Sequence, residues 1–261
     1  MGSQHASSTK KTIGTILSIS LFLVLWQVGT TNTTLGLLMP GPIEVMKRFF
    51  SSFVDPIGKY SIFGHIMFSL SRVLIGYGIG AVCGITLGIL MGRYKPVEAI
   101  FMPLYEMIRP IPPIAWIPLA ILWYGLGETT KWFLIFLSTF NTITLNVYSG
   151  AKSVDPVLLG ASRMLGASPI QTMRTIVLPY TVPFIFAGLH TAVSVGWATV
   201  VAAEMVRSTE GVGWIIVNAM EINNMVQVLT GIVAIGMVGY LLAIIMRKVE
   251  DVLCAWNKGG K

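Results

Sequence analysis

The sequence contains few charged residues. Only 11% of its 261 residues are Asp, Glu, Lys or Arg, whereas 54% are hydrophobic and the mean hydropathy is +0.75. Soluble domains carry about 25% charged residues. The composition therefore excludes a soluble globular protein and indicates an integral membrane protein.

Cysteine, histidine and nucleotide-binding motifs are also scarce. Cys83 lies inside an apolar run and Cys254 near the end of the chain, so neither a disulfide nor redox chemistry is predicted. The three histidines are scattered, and neither GxxxxGK[ST] nor GxGxxG occurs. We therefore expect no catalytic residues, no metal and no cofactor bound by this chain, and a transport component rather than an enzyme.

Long apolar runs are abundant instead. Runs long enough to cross about 30 Å of hydrocarbon as helices occur at 13–30, 66–92, 100–124, 130–149, 182–206 and 226–246. The first run lacks a signal-peptide cleavage site and is predicted to be retained. The prediction is an all-α integral membrane protein of about six transmembrane helices forming one domain over 1–261, with a flexible tail at 1–12 and a cytoplasmic tail at 247–261.

The basic residues predict the orientation of these spans. Six spans place both termini on one side, and with the termini inside, the cytoplasmic segments hold eleven basic and four acidic residues. The outer segments hold five of each. The positive-inside rule therefore predicts cytoplasmic N and C termini. The formal charge of +7 then reflects orientation, and no nucleic acid is expected as a partner.

The second span carries glycines at an unbroken spacing of four. On a helix this spacing forms a bare ridge that lets another backbone approach closely. Tight helix packing is the main prediction, and a gate sliding along the ridge is the alternative. The glycines are Gly76, Gly80, Gly84, Gly88 and Gly92.

The third span is interrupted by prolines. Pro110, Pro112, Pro113 and Pro118 lie within nine residues, and proline breaks a helix because it lacks an N–H and clashes with the preceding turn. Irregular backbone at membrane depth is tolerated only where protein buries it or water lines it. Residues 106–118 are therefore predicted to form a wall of a polar path.

Four ionisable residues remain within the spans, namely Arg72, Glu106, Arg109 and Glu204. Such residues are costly in hydrocarbon and often functional. Glu106 and Arg109 are three residues apart and can pair on a helix. Arg207 is the one residue of opposite charge at helical spacing from Glu204. Arg72 has no acidic residue at helical spacing within its own span. For the arginines, an anion path, snorkelling to the interface and interhelical pairing all stay open.

Other candidates for the translocation path come from the same spans. Trp116 and Trp197 fit packing or the membrane interface as well as a path, and His190 also fits a hydrogen-bonded interior histidine. The full set predicted for the path is Arg72, Glu106, Arg109, Pro113, Trp116, His190, Trp197 and Glu204.

A polar stretch, GASRMLGASPIQTMRTIVLP at 160–179, interrupts the apolar spans. Asp155 with Pro156 predicts a helix start, and Gly166 predicts its end. Ser168 and Pro169 predict a second short helix that reaches Leu178. The result is an elbow of two short helices, which spacing alone fits equally to a linker on the membrane surface and to a docking surface.

The same stretch resembles the EAA loop of permease subunits of bacterial ATP-binding-cassette importers, written E-A-A-x3-G-x9-I-x-L-P. Ala161, Gly166 and the final Ile176, Leu178 and Pro179 match it, whereas Gly160 and Ser162 replace the glutamate and the second alanine. PLYEMIRPIPPIAWIPLAILWYGLGETTK at 103–131, VGWATVVAAEM at 195–205 and LMPGPIEVMKRF at 38–49 are similar to the branch that imports taurine, aliphatic sulfonates and nitrate.

This resemblance implies a type I importer transmembrane domain in the bacterial inner membrane. The implied partners are a second copy of the chain, two ATPase subunits that bind ATP and Mg, and an extracytoplasmic substrate-binding protein. The segment 150–181 would couple to the ATPase. The residues expected to do so are Asp155, Gly160, Ala161, Ser162, Arg163, Leu165, Gly166, Ala167 and Pro169.

The implied substrate is a small anion. Taurine or another sulfonate is favoured, and nitrate or an aromatic carboxylate such as phthalate is an alternative. A self-sufficient transporter or channel driven by an ion gradient would be expected to show embedded carboxylates and inverted repeats. Only Glu106 and Glu204 meet the first requirement. A membrane-embedded enzyme is a further alternative, but the sequence shows no set of residues that would supply its nucleophile or metal site.

Overall fold

The computed structural model of the protein describes residues 2–31, 33–206 and 208–253, with side chains described from Gly14 onward except at positions 35 and 37. Arg207 and Cys254 therefore lie outside the described residues, as does the end of the predicted C-terminal tail. Contacts divide the chain into two compact units, residues 1–63 with 215–234 and residues 64–214 with 235–261. The single permease domain stays a prediction.

Nearly all of the described chain is helical, and its only β feature is an isolated bridge between Ile57 and Tyr60. The helices are α1 (Gly2–Thr30), α2 (Thr34–Leu38), α3 (Pro42–Ser51), α4 (Ile62–Arg93), α5 (Lys95–Ile108), α6 (Ile117–Tyr124), α7 (Glu128–Lys152), α8 (Pro156–Met164), α9 (Pro169–Thr172), α10 (Leu178–Met205), α11 (Val212–Glu221) and α12 (Met225–Leu253).

The first unit contains α1 to α3, most of α11 and the start of α12. Pro42 occupies the first turn of α3, as a helix start requires, and Val45 and Phe49 are buried beside it. Helix α1 begins at Gly2 and so includes residues 2–12, whose flexibility stays a prediction. Helix α12 likewise continues through 247–253.

The glycine ridge of α4 packs against α7 in the second unit. A Cβ added at Gly76 would lie 2.6 Å from Ile135 Cβ, and one at Gly88 would lie 2.8 Å from the carbonyl oxygen of Thr144. Gly80, Gly84 and Gly92 also face α7 residues at this close range. The ridge therefore forms a helix-packing interface, as predicted, because only hydrogen fits between the backbones.

The proline-rich segment breaks its helix. Helix α5 ends at Ile108, a 3₁₀ turn follows at Pro113–Trp116, and α6 begins at Ile117. The axes of Lys95–Ile108 and Pro113–Tyr124 differ by 88°. The predicted interruption is therefore present, and residues 109–112 between the two helical segments are exposed.

Within the described residues, three helical segments are long and apolar enough to cross a membrane, namely Ile62–Arg93, Pro169–Met205 and Met225–Leu253. The bent pair of α5 and α6 makes a fourth if it counts as one span. Helix α7 covers the predicted span at 130–149, and Gly14–Thr30 is a shorter apolar helix. Six spans and cytoplasmic termini stay predictions.

The second short helix of the predicted elbow does not end at Leu178. It runs from α9 through a π-helical turn at Met173–Val177 directly into α10, so its predicted end at Leu178, before Pro179, is wrong. A proline lacks an N–H and crowds the preceding turn. The wider π turn immediately before Pro179 accommodates it, and local π adjustments of this kind let membrane helices tolerate proline.

Candidate functional site

The elbow begins with a side-chain cap. The carboxylate of Asp155 accepts a hydrogen bond from the backbone N–H of Val157 at 2.8 Å, and Pro156 occupies the first helical position. The second arm starts with a capping box, in which the Ser168 hydroxyl accepts from the Gln171 N–H and the Gln171 side chain accepts from the Ser168 N–H. Both predicted helix starts are confirmed.

Between the two arms the chain reverses at Gly166, whose φ of +76° lies in the left-handed region. Glycine adopts this conformation without the steric cost that a Cβ adds. The turn is also braced internally, because the Ser162 and Thr172 hydroxyl oxygens lie 3.2 Å apart and both side chains are buried. Ser162 is therefore buried inside the elbow, and its predicted role in coupling stays a prediction.

One face of the elbow is packed and the other is bare. Leu159 packs against a buried cluster of Ala151, Val154 and Val177, which fixes α8 to the ends of its flanking helices. The opposite apolar side chains are exposed, with Met164 91% and Leu165 87% accessible. The other exposed apolar side chains of the elbow are Val157, Leu158 and Ile170.

The remaining predicted coupling residues lie around this bare face. Ala167 is half-buried next to Gly166. Those that are exposed are Asp155, Gly160, Ala161, Arg163, Gly166 and Pro169. The structure thus brings all the predicted residues together in one compact elbow, and their role in coupling stays a prediction.

The helix that leads into the elbow is tied to α5. Lys152 Nζ lies 2.5 Å from Glu98 Oε1, and the Tyr148 hydroxyl donates to the same oxygen at 2.6 Å. The hydrogen bond to Glu98 raises the pKa of the Lys152 ammonium above its ordinary value. The pair is exposed to solvent, so it contributes little to stability but sets the position of the last turn of α7.

Two neighbouring cavities lie beside the broken helix. One, of about 260 Å³, is lined by α7 and by Tyr105, Arg109 and Ile111. The other, of about 500 Å³, is lined mainly by apolar residues of α6, α7 and α10. Pro113 and Val195 border both cavities. Of the predicted path residues, Arg109 and Pro113 line these cavities.

The smaller cavity contains polar residues that were not among the predicted site residues. They lie on one face of α7, at positions i, i+3, i+4 and i+8, which share a side of a helix. This spacing of polar residues inside a predicted span is the signal that could have found them. The residues are Ser138, Asn141, Thr142 and Asn146.

Arg72 and Glu204 belong to a buried ion-pair cluster. Arg72 Nη1 lies 2.8 Å from Glu204 Oε1, its Nε lies 2.6 Å from Glu128 Oε2, and its Nη2 lies 3.0 Å from Glu210 Oε1. The arginine thus connects α4, the start of α7, the end of α10 and the loop after α10. Interhelical pairing, one of the open alternatives for Arg72, is what the structure shows.

The same cluster holds the loop that leads into α11. The N–H of Gly213 donates to Glu204 Oε2 at 3.0 Å, and the N–H of Val212 donates to Ser69 Oγ at 2.9 Å. The N–H of Gly211 donates to His65 Nδ1 at 3.0 Å. Backbone donors at the start of α11 are therefore satisfied by side chains of α4 and α10.

The other predicted path residues make structural contacts. The Trp197 indole donates to the Ile235 carbonyl at 3.0 Å, and Trp116 packs against the cluster of Ile117, Leu134 and Ala203. His190 Nδ1 lies 3.2 Å from Glu250 Oε2. A path role for these three stays a prediction.

Glu106 and Arg109 do not pair. Both side chains are exposed, and within the described residues the structure shows no ion pair between them. Arg109 instead lines the smaller cavity at the point where α5 ends.

The described residues thus form apolar helices long enough to cross a membrane, an interrupted helix beside two cavities and an exposed elbow, features expected of a membrane transport subunit. Residues 84–253 match the family described as binding-protein-dependent transport system inner membrane component. The chain belongs to this family. It is a multi-pass protein of the cell inner membrane and a permease subunit of an ATP-binding-cassette importer.

Relatives with known names support the same assignment. The chain is 34% identical to the taurine transport system permease protein of Escherichia coli K12, over 91% of this chain and 86% of that one. It is 31% identical to a putative aliphatic sulfonates transport permease protein of Bacillus subtilis, over 93% and 87%. It is 32% identical to a nitrate import permease protein of a Synechocystis species, over 89% and 86%.

Solved structures support the fold. The transmembrane subunit of the MetNI methionine ABC transporter superposes with a TM-score of 0.63 at 20% identity, over 73% of this chain and 95% of that one. A chain of an amino acid ABC transporter superposes with a TM-score of 0.59 at 15% identity, over 80% of this chain and 95% of that one. The predicted fold class, an all-α type I importer transmembrane domain, is thereby confirmed.

Proposed function

We propose that this subunit forms the translocation path for a small organic anion, with taurine or another sulfonate favoured, and that a partner ATPase drives transport through the elbow. The assembly would contain two copies of this chain, two ATPase subunits that bind ATP and Mg, and an extracytoplasmic binding protein that delivers the substrate. Nitrate and aromatic carboxylates such as phthalate are the competing substrates.

The elbow is the observation that carries the proposal. Its apolar face at Met164 and Leu165 is exposed, while Leu159, the Asp155 cap and the Ser162 to Thr172 contact fix its shape. A rigid, exposed apolar surface is expected to bind another protein. Because α10 continues directly from the second arm, movement of the elbow would be transmitted to a membrane-spanning helix.

The substrate class is supported by the relatives and by charge. The relatives named above are described as permeases for taurine, sulfonates and nitrate. Arg109 supplies a positive charge at a cavity whose lining, as far as the described residues show, includes no carboxylate, and such a wall attracts anions.

Reconstitution tests the function directly. The subunit, its ATPase and its binding protein are placed in proteoliposomes, and ATP hydrolysis is measured with taurine, nitrate and phthalate. We expect taurine to stimulate hydrolysis most. Uptake driven by an ion gradient without ATP would overturn the proposal in favour of a self-sufficient transporter.

A substitution tests the elbow. Gly166→Trp introduces a bulky side chain at the left-handed turn, and we expect loss of the ATPase during purification while the membrane subunit stays folded. Gly125→Trp is the matched control, because Gly125 has a φ of +75° and open space around it but lies outside the elbow. Normal retention of the ATPase by Gly166→Trp would contradict this role.

A further inference from the structure

The smaller cavity has an uneven distribution of charge and hydrogen-bonding groups. Among the described residues that line it, Arg109, exposed at the end of α5, is the one ionic side chain, and none is a carboxylate. The polar side chains of α7 line the wall formed by that helix. Residues 138 and 146 are eight positions apart, so these polar groups extend for about 12 Å along the helix.

The hydrogen bonds within α7 determine which donors and acceptors of these side chains remain available to a ligand. The hydroxyls of Ser138 and Thr142 donate to the carbonyls of Ile135 and Ser138 at 2.8 and 3.0 Å. Their protons are therefore used, and each hydroxyl oxygen keeps the capacity to accept a hydrogen bond. Asn146 Nδ2 donates to the Thr142 carbonyl at 2.8 Å, which leaves its Oδ1 as a third acceptor.

Donors for a ligand come from other residues. Arg109 carries five N–H donors and a fixed positive charge. The Asn141 side chain adds an amide, while its backbone carbonyl accepts from the Tyr105 hydroxyl. The cavity therefore offers a cation and an amide for an oxyanion, together with a row of acceptors on α7 for a donor group.

We propose that this cavity is a substrate site within the permease itself, and that it takes a small organic oxyanion carrying an amino or hydroxyl donor. The proposal rests on the anion-importer function above and deepens it. Arg109 and Asn141 bind the sulfonate or carboxylate end, and the Thr142 and Asn146 oxygens accept from the ammonium or hydroxyl group. Ile111, Pro113 and Val195 contact the short carbon chain.

This arrangement discriminates among the competing anions. Nitrate has three acceptor oxygens and no donor, so it would leave the acceptors of Thr142 and Asn146 without a partner. A site with polar groups placed for a substrate donor rejects an analogue that lacks the donor, because its own buried groups then stay unpaired. Aminosulfonates and hydroxysulfonates satisfy both ends.

Direct binding to the permease–ATPase complex tests the site, with the binding protein left out. Isothermal titration compares taurine, 2-hydroxyethanesulfonate, ethanesulfonate and nitrate. We expect the two donor-bearing sulfonates to bind more tightly than ethanesulfonate, and nitrate to bind most weakly. Arg109→Gln should weaken taurine binding by about 10- to 100-fold, the effect of losing a charged hydrogen bond. Arg247→Gln, an exposed arginine of α12, is the control.

A second variant separates the two ends of the site. Thr142→Val combined with Asn146→Leu keeps side-chain size but removes two acceptors, so taurine should then bind no better than ethanesulfonate, whose own affinity stays unchanged. Ser149→Ala, at an exposed position of the same helix, should change neither affinity.

Equal affinities for taurine and ethanesulfonate in the unmodified complex would overturn the site. So would equal effects of Arg109→Gln and Arg247→Gln. If taurine-loaded binding protein still stimulates ATP hydrolysis in those cases, the importer function stands and only the site is wrong. If no anion stimulates hydrolysis, the proposed function itself fails.

Discussion

Arg72 Nη1 lies 2.8 Å from Glu204 Oε1, although 132 residues separate the two along the chain. Each residue is only 1% exposed. The same guanidinium contacts Glu128 and Glu210, so one arginine neutralises charge from α7, from α10 and from the following loop. Removing one member of a buried ion pair leaves an uncompensated charge, which is far more costly than never having placed the pair there.

Replacing Arg72 should therefore destabilise the protein severely. We expect Arg72→Met to lower the free energy of unfolding by about 3–5 kcal/mol, because it leaves Glu204 buried without its cation. Glu204→Gln should cost less, since Arg72 keeps Glu128 and Glu210. Thermal unfolding in detergent measures both.

The double variant Arg72→Met with Glu204→Gln should lose less stability than the sum of the two single losses, since each removes the same interaction. Glu221→Gln, an exposed acid at the end of α11, serves as the control and should change little. Strict additivity would show that the two side chains do not act as a pair.

The loop held by this cluster requires glycine at one position. Gly211 has a φ of +111°, and an added Cβ would clash with the Glu204 carboxylate. Gly211→Ala should therefore destabilise by at least the roughly 1–3 kcal/mol typical of a strained backbone. Gly125 also has a positive φ, but nothing lies near its added Cβ, so Gly125→Ala measures the cost of backbone strain alone. Equal losses of thermal stability for the two variants would exclude the steric contact.

Contacts between residues that are close along the chain could be predicted from the sequence, whereas contacts between distant residues could not. The caps at Asp155 and Ser168 and the turn at Gly166 involve residues only two to five positions apart, and all three were predicted. The partner of Arg72 was not found, because no acid occurs at helical spacing within its own span. Such a pairing follows from the way helices pack, which local spacing does not contain.

The hydrogen-bond acceptors on α7 show a second limit to prediction from the sequence. Their spacing along the helix is visible in the sequence, but the cavity that they face depends on where Arg109 and Val195 lie. The apparent pairing of Glu106 with Arg109 failed for a similar reason. Spacing made the pair possible, and the end of α5 beside the cavity gave the arginine another environment.

The interface of α4 with α7 should tolerate a methyl group at one glycine and not at another. At Gly88 the added Cβ would lie 2.8 Å from the Thr144 carbonyl oxygen, a backbone atom that cannot move aside, whereas at Gly78 nothing lies within 4 Å. We expect Gly88→Ala to cost about 1–3 kcal/mol through overpacking. Gly78→Ala on the same helix should be neutral. Thermal unfolding compares them, and equal stability would argue against close packing at Gly88.

Two buried hydroxyl groups brace the elbow. Ser162 stands where the importer motif has alanine, and its buried hydroxyl lies 3.2 Å from Thr172 Oγ1 across the Gly166 turn. The same hydroxyl donates to the Leu159 carbonyl at 3.0 Å. Ser162→Ala should therefore match the motif at this position yet loosen the elbow by about 0.5–1.5 kcal/mol for each hydrogen bond lost.

Thr172→Val removes only the contact between the two hydroxyls, so it should cost less, and the double variant should lose less stability than the sum of the two single losses. Thermal unfolding of the four proteins gives the coupling energy. The ratio of transport to ATP hydrolysis then shows whether the looser elbow transmits less of the ATPase movement. A coupling energy near zero would mean that the two hydroxyls only happen to be close, and that Gly166 and the caps alone fix the shape.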